Sequence, residues 1–519
     1  MGDTVQILIA MVTYMAVVII LGVTFAKRAN ANSDAYFLGG RSLGPWVTAM
    51  SAEASDMSGW LLMGLPGVAY WCGIADAAWT AIGLAVGTYV NWLMVSKRLR
   101  RYSVKAGNAI TLPEYFSNRF HEKSKVIMTI SALFILIFFT VYAASCLVTC
   151  GKLFSTLFGM PYIPMMIVGA VFVLIYTLIG GFLAESASDF MQAIVMIVAL
   201  GVIVCVGTAA AGGLDAVIDN VGSIPGFLEF FGIAIPQTVD GVQQVAAGQP
   251  VFGEKGSYSI LSVVSTMAWG LGYFGVPQVL LRFMAIRNEN ELTRSRRIAT
   301  VWVVISLAIA VFIGVVGRAL YPTALLTSSD AENIFILLAT SLLPPLIAGF
   351  VMAGILAATI SSSDSYLLIA ASAFAKNIYQ GLFRRKASDK EVLHISRITL
   401  FVIAIAAIVI ALDENSVIFT IVSFAWAGFG ATFGPLMLFS LFWKRTTRAG
   451  AIAGMLGGAG MVFVWNLLVR PLGGVWDIYE LLPAFLFSAL CIVIVSLLTP
   501  APSEEIQKEF EEVKTGGII

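Results

Sequence analysis

Thirteen apolar stretches, each close to the length that crosses a bilayer, decide what this chain can fold into. Taking about 20 apolar residues per span, they fall at 7–26, 46–71, 75–95, 126–150, 162–183, 190–211, 260–283, 298–320, 344–375, 397–412, 416–442, 449–470 and 480–499. In hydrocarbon every backbone polar group must be satisfied internally, so runs of this length predict an all-α polytopic membrane protein. Charged residues make up 12% of the 519, against about 25% in a soluble domain. A net charge of +1 offers nothing to a nucleic acid. The first span lacks a basic start and a small-residue cleavage site, so it is expected to remain in the mature chain.

Orientation follows from Lys and Arg. With the N-terminus outside, 27 of the 31 fall in inner loops, leaving Lys152, Lys255, Arg318 and Arg470 outside. The reading is a multi-pass protein of the cell membrane, with the tail SEEIQKEFEEVK inside as a short polar helix.

The stretch Ala49–Gly67, AMSAEASDMSGWLLMGLPG, sits in an apolar run yet carries Glu53, Asp56, Ser51, Ser55, Ser58, Gly59, Gly64 and Pro66. A charge in hydrocarbon costs at least roughly 2.5–3.5 kcal/mol, so Asp56 requires a partner. Unwound backbone at bilayer depth is tolerated where it lines a cavity, and freed carbonyls there bind small cations. The other reading is a structural charge bonded to a neighbouring helix, with Gly and Ser for close packing.

A second polar cluster, Ala357-Ala358-Thr359-Ile360-Ser361-Ser362-Ser363-Asp364-Ser365, places Ala358, Ser361 and Ser365 in one helical stripe with Ser362 beside them. Such hydroxyls suit a hard monovalent cation, or bond back to the i−4 carbonyl. In Ser186-Ala187-Ser188-Asp189, Asp189 is either a solvated acid at a helix N-terminus or holds a cation near Asp364 and Ser365. Trp269, Tyr273 and Pro277 recur every fourth residue, hence on one helical face, and Tyr142 lies in FFTVYAAS. Such stripes are more often packing than ligand contacts. The five cysteines sit in apolar segments, and the histidines, His121 and His394, lie in basic loops, so no metal spacing is present.

Spans 46–71 and 260–283 both carry an internal break, with Pro66 and Pro277 inside the apolar run. Interrupted segments in corresponding positions of two halves point to a transporter site. Five spans lie in each of 46–211 and 260–442, so the second half starts on the opposite side and the repeat is inverted. Around these halves lie the first helix with its inner loop (1–45), an outer loop (212–259) that is a lid or a mobile connection, and two peripheral helices with the tail (443–519). LLPPLIAGF at the start of 344–375 suggests a shorter helix before it and an irregular course.

SAEASDMSGWLLMGLPG, WGLGYFGVP, SDAYFLGGRSLGPW and ILAATISSSDS together resemble the sodium:solute symporter family, most closely its sodium/proline carriers, over about residues 5–500. The resemblance implies thirteen spans around a ten-helix core of the leucine-transporter type. It implies a sodium site of the Ala54, Met57 and Ala358 main-chain oxygens with the Ser361 and Ser362 hydroxyls. It further implies that Asp56 and Arg41 serve sodium coupling, and that Ser58, Gly59, Tyr142, Trp269, Tyr273 and Pro277 meet the substrate. Asp189 with Ser365 resembles a second cation site of some members. Glu53 and the string Val276-Pro277-Gln278 depart from the family pattern.

The function expected is not an enzyme's. It is sodium-coupled symport of a small zwitterionic amino acid, L-proline, by alternating access. The alternatives are a sodium symporter of another small amino acid or carboxylate, or a membrane sensor or channel, although neither a signalling domain nor a ring-forming pore motif is evident.

Overall fold

The computed structural model describes residues 2–29 and 31–516. Among them, ten helices are long and apolar enough to cross a membrane, or twelve when each of two bent pairs counts as one span. The bent pairs are Ile74–Met94 with Ser96–Lys105, and Ile260–Phe274 with Pro277–Ala285, the latter bent by 40°. The expected span 46–71 is itself interrupted. Helix Pro45–Asp56 stops, and the chain resumes at Trp60 as a wide turn running into helix Leu65–Cys72.

Helix Pro345–Ser372 is the centre of the bundle, buried from Val351 through Ser372 and packed against Asp3–Ala29, Pro45–Asp56, Val126–Phe158 and Tyr162–Ala210. As LLPPLIAGF suggests, a short helix, Ile334–Leu342, precedes it, but its course is regular, followed by a wider turn at Ala373–Phe383. The broken span 260–285 lies close on Ile74–Met94. At Gly87 an added Cβ would overlap the Gly270 backbone, so only glycine allows this approach.

The structure moves several expected boundaries. Spans 162–183 and 190–211 meet without a loop, as Tyr162–Ile179 and Gly181–Ala210, with Gly181 at φ 61° turning the chain. A Cβ on Gly181 would come within 2.7 Å of the Tyr36 ring. The polar run 186–189 therefore lies inside a helix, where Ser188 bonds Tyr176 and Asp189 meets Ser51 and Arg282. Span 397–412 starts earlier, at Asp389, where Ser388 caps the helix by accepting from the Glu391 amide.

The connection 212–258 is ordered, with helix Leu214–Gly222 and three two-stranded antiparallel sheets pairing 232–233 with 256–257, 238–239 with 242–243, and 245–246 with 249–250. The tail forms helix Glu504–Thr515, which buries Ile506, Phe510 and Val513 and is thus amphipathic rather than polar throughout. Ion pairs from Glu512 to Lys105 (2.8 Å) and from Glu511 to Lys444 (3.5 Å) hold it against the face that carries the basic loops.

Candidate functional site

The break at Met57-Ser58-Gly59 redirects two amides. In an unbroken helix the Ser58 N–H would serve the Ala54 carbonyl, but it donates to Asp56 O (3.0 Å). The Leu61 N–H would serve Met57, but it donates to Ser58 O (2.9 Å). The carbonyls of Ala54 and Met57 thus lose their helical donors inside a buried segment, where an unmet polar group is costly.

Helix Pro345–Ser372 supplies what faces the first of them. Ser361 Oγ donates to Ala54 O at 2.8 Å and Ser362 Oγ at 3.3 Å, while Ser361 Oγ also lies 3.1 Å from Ala358 O. Both serines are fully buried. Four oxygens from elements some 300 residues apart therefore converge at one point, and the back-bonding expected of membrane serines accounts for only one of these contacts.

Asp56, at the end of Pro45–Asp56, accepts a hydrogen bond from Tyr273 Oη (Oδ2, 2.7 Å), so the two broken spans meet at this carboxylate. Glu53, one turn earlier and fully buried, accepts from Trp92 Nε1 at 3.3 Å. Ser58 Oγ accepts from the Trp60 amide at 3.3 Å, and Gly59 sits where a Cβ would overlap the Thr149 side chain.

Trp269 and Tyr273 do not share a helical face. The segment Ala268–Phe274 is a 3-10 turn, in which a step of four residues rotates a side chain by about 120°, and Pro277 opens a new helix beyond the bend. Trp269 enters an aromatic cluster with Trp60, Phe419 and Tyr479, at ring distances of 5.5, 5.2 and 5.1 Å. Tyr273 points to Asp56 and packs edge-on against Trp426 at 5.0 Å. Tyr142 stacks on Tyr366 of the central helix at 4.1 Å.

Asp189, Asp364 and Ser365 lie together in the core, but the positive charge among them is a side chain. The Arg282 guanidinium pairs with Glu185 and with Asp189 (3.2 Å), and donates to Ser365 Oγ (2.9 Å) and Ser51 Oγ (3.0 Å). Ser51 in turn donates to Asp189 Oδ2 at 2.7 Å, and Ser365 to Glu185. Asp189 is fully buried, which rules out the solvated-acid reading, and Asp364 is buried beside it without an ion pair to Arg282. Sequence reasoning missed Arg282 and Glu185. By sequence Arg282 falls among the inner-loop cations because it borders a basic stretch, yet its exposure is 0%. The signal for Glu185 was available, an acid in the apolar run just before Ser186.

Arg41 lies outside the spans at φ 53°, bonding Asn108 Oδ1 (3.0 Å), Ser103 Oγ (3.1 Å), Met284 O (2.6 Å) and Ala109 O (2.7 Å). Burial first, and then the nearby Arg100 charge, pull its guanidinium down to about 10. It ties the loop after the first helix to the end of the second broken span, away from the Ala54 oxygens.

Residues 36–458 match the sodium:solute symporter family. The chain is 42% identical over 490 residues to a high-affinity proline transporter of Bacillus subtilis, covering 94% of this chain and 97% of that one. It is 42% identical over 516 residues to the sodium/proline symporter of Escherichia coli, covering 99% and 97%. Its backbone resembles that of a Na+-coupled sialic acid symporter in a substrate-bound outward-open state, with a TM-score of 0.76, 18% identity, and 96% and 99% of the two chains covered. That likeness establishes the leucine-transporter type of fold.

Proposed function

The chain belongs to the sodium:solute symporter family, and from that premise we propose that it carries L-proline, a small zwitterionic amino acid, into the cell together with sodium by alternating access. The observation that carries the reading is the convergence of Ala54 O, Ala358 O, Ser361 Oγ and Ser362 Oγ at the break of the first broken span. A small hard cation entering there displaces the two hydroxyl protons from Ala54 O and takes oxygens already aimed at one point. The Met57 carbonyl, freed by the same break, is the fifth ligand in this reading. Because the oxygens come from two halves of the core, 46–211 and 260–442, the ion joins those halves, and its binding is thereby linked to their relative movement.

Asp56 acts on the ion electrostatically. Its bond to Tyr273 passes that influence to the second broken span, where Trp269, Tyr273 and Pro277, with Ser58, Gly59 and Tyr142 opposite, meet the solute. Arg41 acts at a distance, by fixing the end of the second broken span through Met284 O. A second cation at Asp189, Asp364 and Ser365 requires that Arg282 withdraw. The face that carries the basic loops and the docked tail helix is cytoplasmic, with the N-terminus outside.

Reconstituted in liposomes, the protein is expected to accumulate labelled proline under an inward sodium gradient and to stop when the gradient is collapsed. Uptake at the same rate without sodium, or dissipation of the sodium gradient in the absence of solute, overturns the reading; the latter outcome is a channel's. Failure to accumulate labelled proline, where another labelled small amino acid accumulates under the same sodium gradient, keeps the symporter and removes proline.

A further inference from the structure

On the face opposite the basic loops, helix Leu292–Leu320 ends beneath the connection 212–258 with an arginine that lacks a counter-charge. Arg318 is 1% exposed. Among the described residues its partners are neutral oxygens. Nε donates to Tyr70 O at 2.8 Å, and Nη1 donates to Pro322 O at 2.8 Å and Gln243 Oε1 at 3.2 Å. The guanidinium lies over the Tyr70 ring at 3.9 Å and the Phe252 ring at 5.2 Å. Nη2 is buried with no hydrogen-bond partner, and no carboxylate of the described residues pairs with Arg318.

Other buried cations are met in different ways, Arg119 by the Ser440 carbonyl and the Tyr102, Phe120 and Phe510 rings, and two more by acids. Lys152 pairs with Glu332 and Arg282 with Glu185 and Asp189. A buried charge left unpaired is costly, and an unmet donor adds the desolvation of its own N–H groups. Arg318 contributes to the wall of a cavity of about 570 Å³ that opens on this face. Its rim carries Asn220, Ser223 and Gln249, all exposed polar side chains, and its wall includes Phe252 and Pro322.

We propose that this cavity binds a small monovalent anion, held by Arg318 Nη2 and the polar rim. The bonds already made decide the class of ligand. Bidentate capture of a planar oxyanion uses two neighbouring nitrogens of the fork, but Nε and Nη1 are taken by carbonyl and amide oxygens. Only an end-on acceptor remains, a halide or one oxygen of a small carboxylate. Arg318 joins the Tyr70 carbonyl, on the far half of the first broken span, to Gln243 and Phe252 of the connection. An anion there completes a staple between that half-helix and the loop above it.

The test uses the purified full chain in nanodiscs at fixed sodium and fixed ionic strength. The bulky sulfonate counter-ion is replaced stepwise by chloride in one arm and by acetate in the other, and the melting temperature is followed. A saturable rise of a few degrees with either anion is expected in the native chain. It should be absent in Ser223→Trp, which fills the cavity from its rim and leaves the bonds of Arg318 in place, and absent in Arg318→Gln where that variant folds. A saturable rise retained in Ser223→Trp, or the same shallow unsaturating slope in the native chain and the variants, overturns the proposal.

Discussion

The hydroxyl of Tyr273 donates a 2.7 Å hydrogen bond to Asp56 Oδ2, across 217 residues of chain. It joins the two interrupted spans directly. Tyr273→Phe removes only that donor and leaves a buried carboxylate oxygen unmet, a loss of about 1–3 kcal/mol. Sodium-dependent thermal stabilisation, which grows as RT ln(1 + [L]/Kd), should weaken in this variant along with proline binding. In a double-mutant cycle with Asp56→Asn the two changes should be strongly non-additive. Additive effects on sodium stabilisation would mean that the bond does not couple them.

Ser361→Ala with Ser362→Ala removes both hydroxyls that face Ala54 O while keeping the helix, since Ala is the better helix former. The expected outcome is a well-folded protein whose half-saturating sodium concentration for uptake rises at least tenfold, about 1.4 kcal/mol. An unchanged sodium dependence sinks the site.

Trp269 packs on the rings of Trp60, Phe419, Trp426 and Tyr479, so Trp269→Ala has two separable consequences. Loss of packing lowers the melting temperature whatever the function. If Trp269 also meets the solute, proline affinity falls more than sodium affinity, a split that calorimetry on the same preparation resolves. Equal losses, or none beyond stability, assign the ring to the aromatic cluster alone.

Gly59→Ala places a methyl where Thr149 Cγ2 and Oγ1 now stand. Overpacking of this kind costs about 1–3 kcal/mol, and Thr149→Ala should return most of it. A double variant no more stable than Gly59→Ala would locate the cost in the backbone of the break instead of in the clash.

Removing one partner of a buried ion pair costs about 3–5 kcal/mol. Arg282→Gln is therefore expected to lower yield and melting temperature severely, because it strands Glu185 and Asp189 in the core. Neutralising all three, with Arg282→Gln, Glu185→Gln and Asp189→Asn, should recover part of the loss. If the neutral variant folds and its sodium response matches the native one, this cluster acts only in the architecture.

Much of the molecule was legible in the chain because bilayer depth acts locally. Any apolar run of about 20 residues must satisfy its own backbone, so the spans could be read one at a time, as could the interruptions at Met57-Ser58-Gly59 and before Pro277. The clustering of Ser361 and Ser362 was visible for the same reason, since polar atoms in such a run stand out against their neighbours. Tertiary structure decided which of these atoms meet. Nothing in the apolar run 260–283 reports that Trp269 and Tyr273 would diverge, because the helical period assumed for them gives way to a 3-10 turn imposed by close packing on Gly83, Gly87 and Trp426. Local composition places Arg282 among the loop charges and leaves Asp189 either a solvated helix-end acid or a cation ligand, whereas the two pair with each other in the core across 93 residues of chain. A charge in sequence carries a sign but not a dielectric. Only the packed bundle, by excluding water from some charges and not from others, determines which must pair, and for Arg318 it leaves a guanidinium with no acid to pair with.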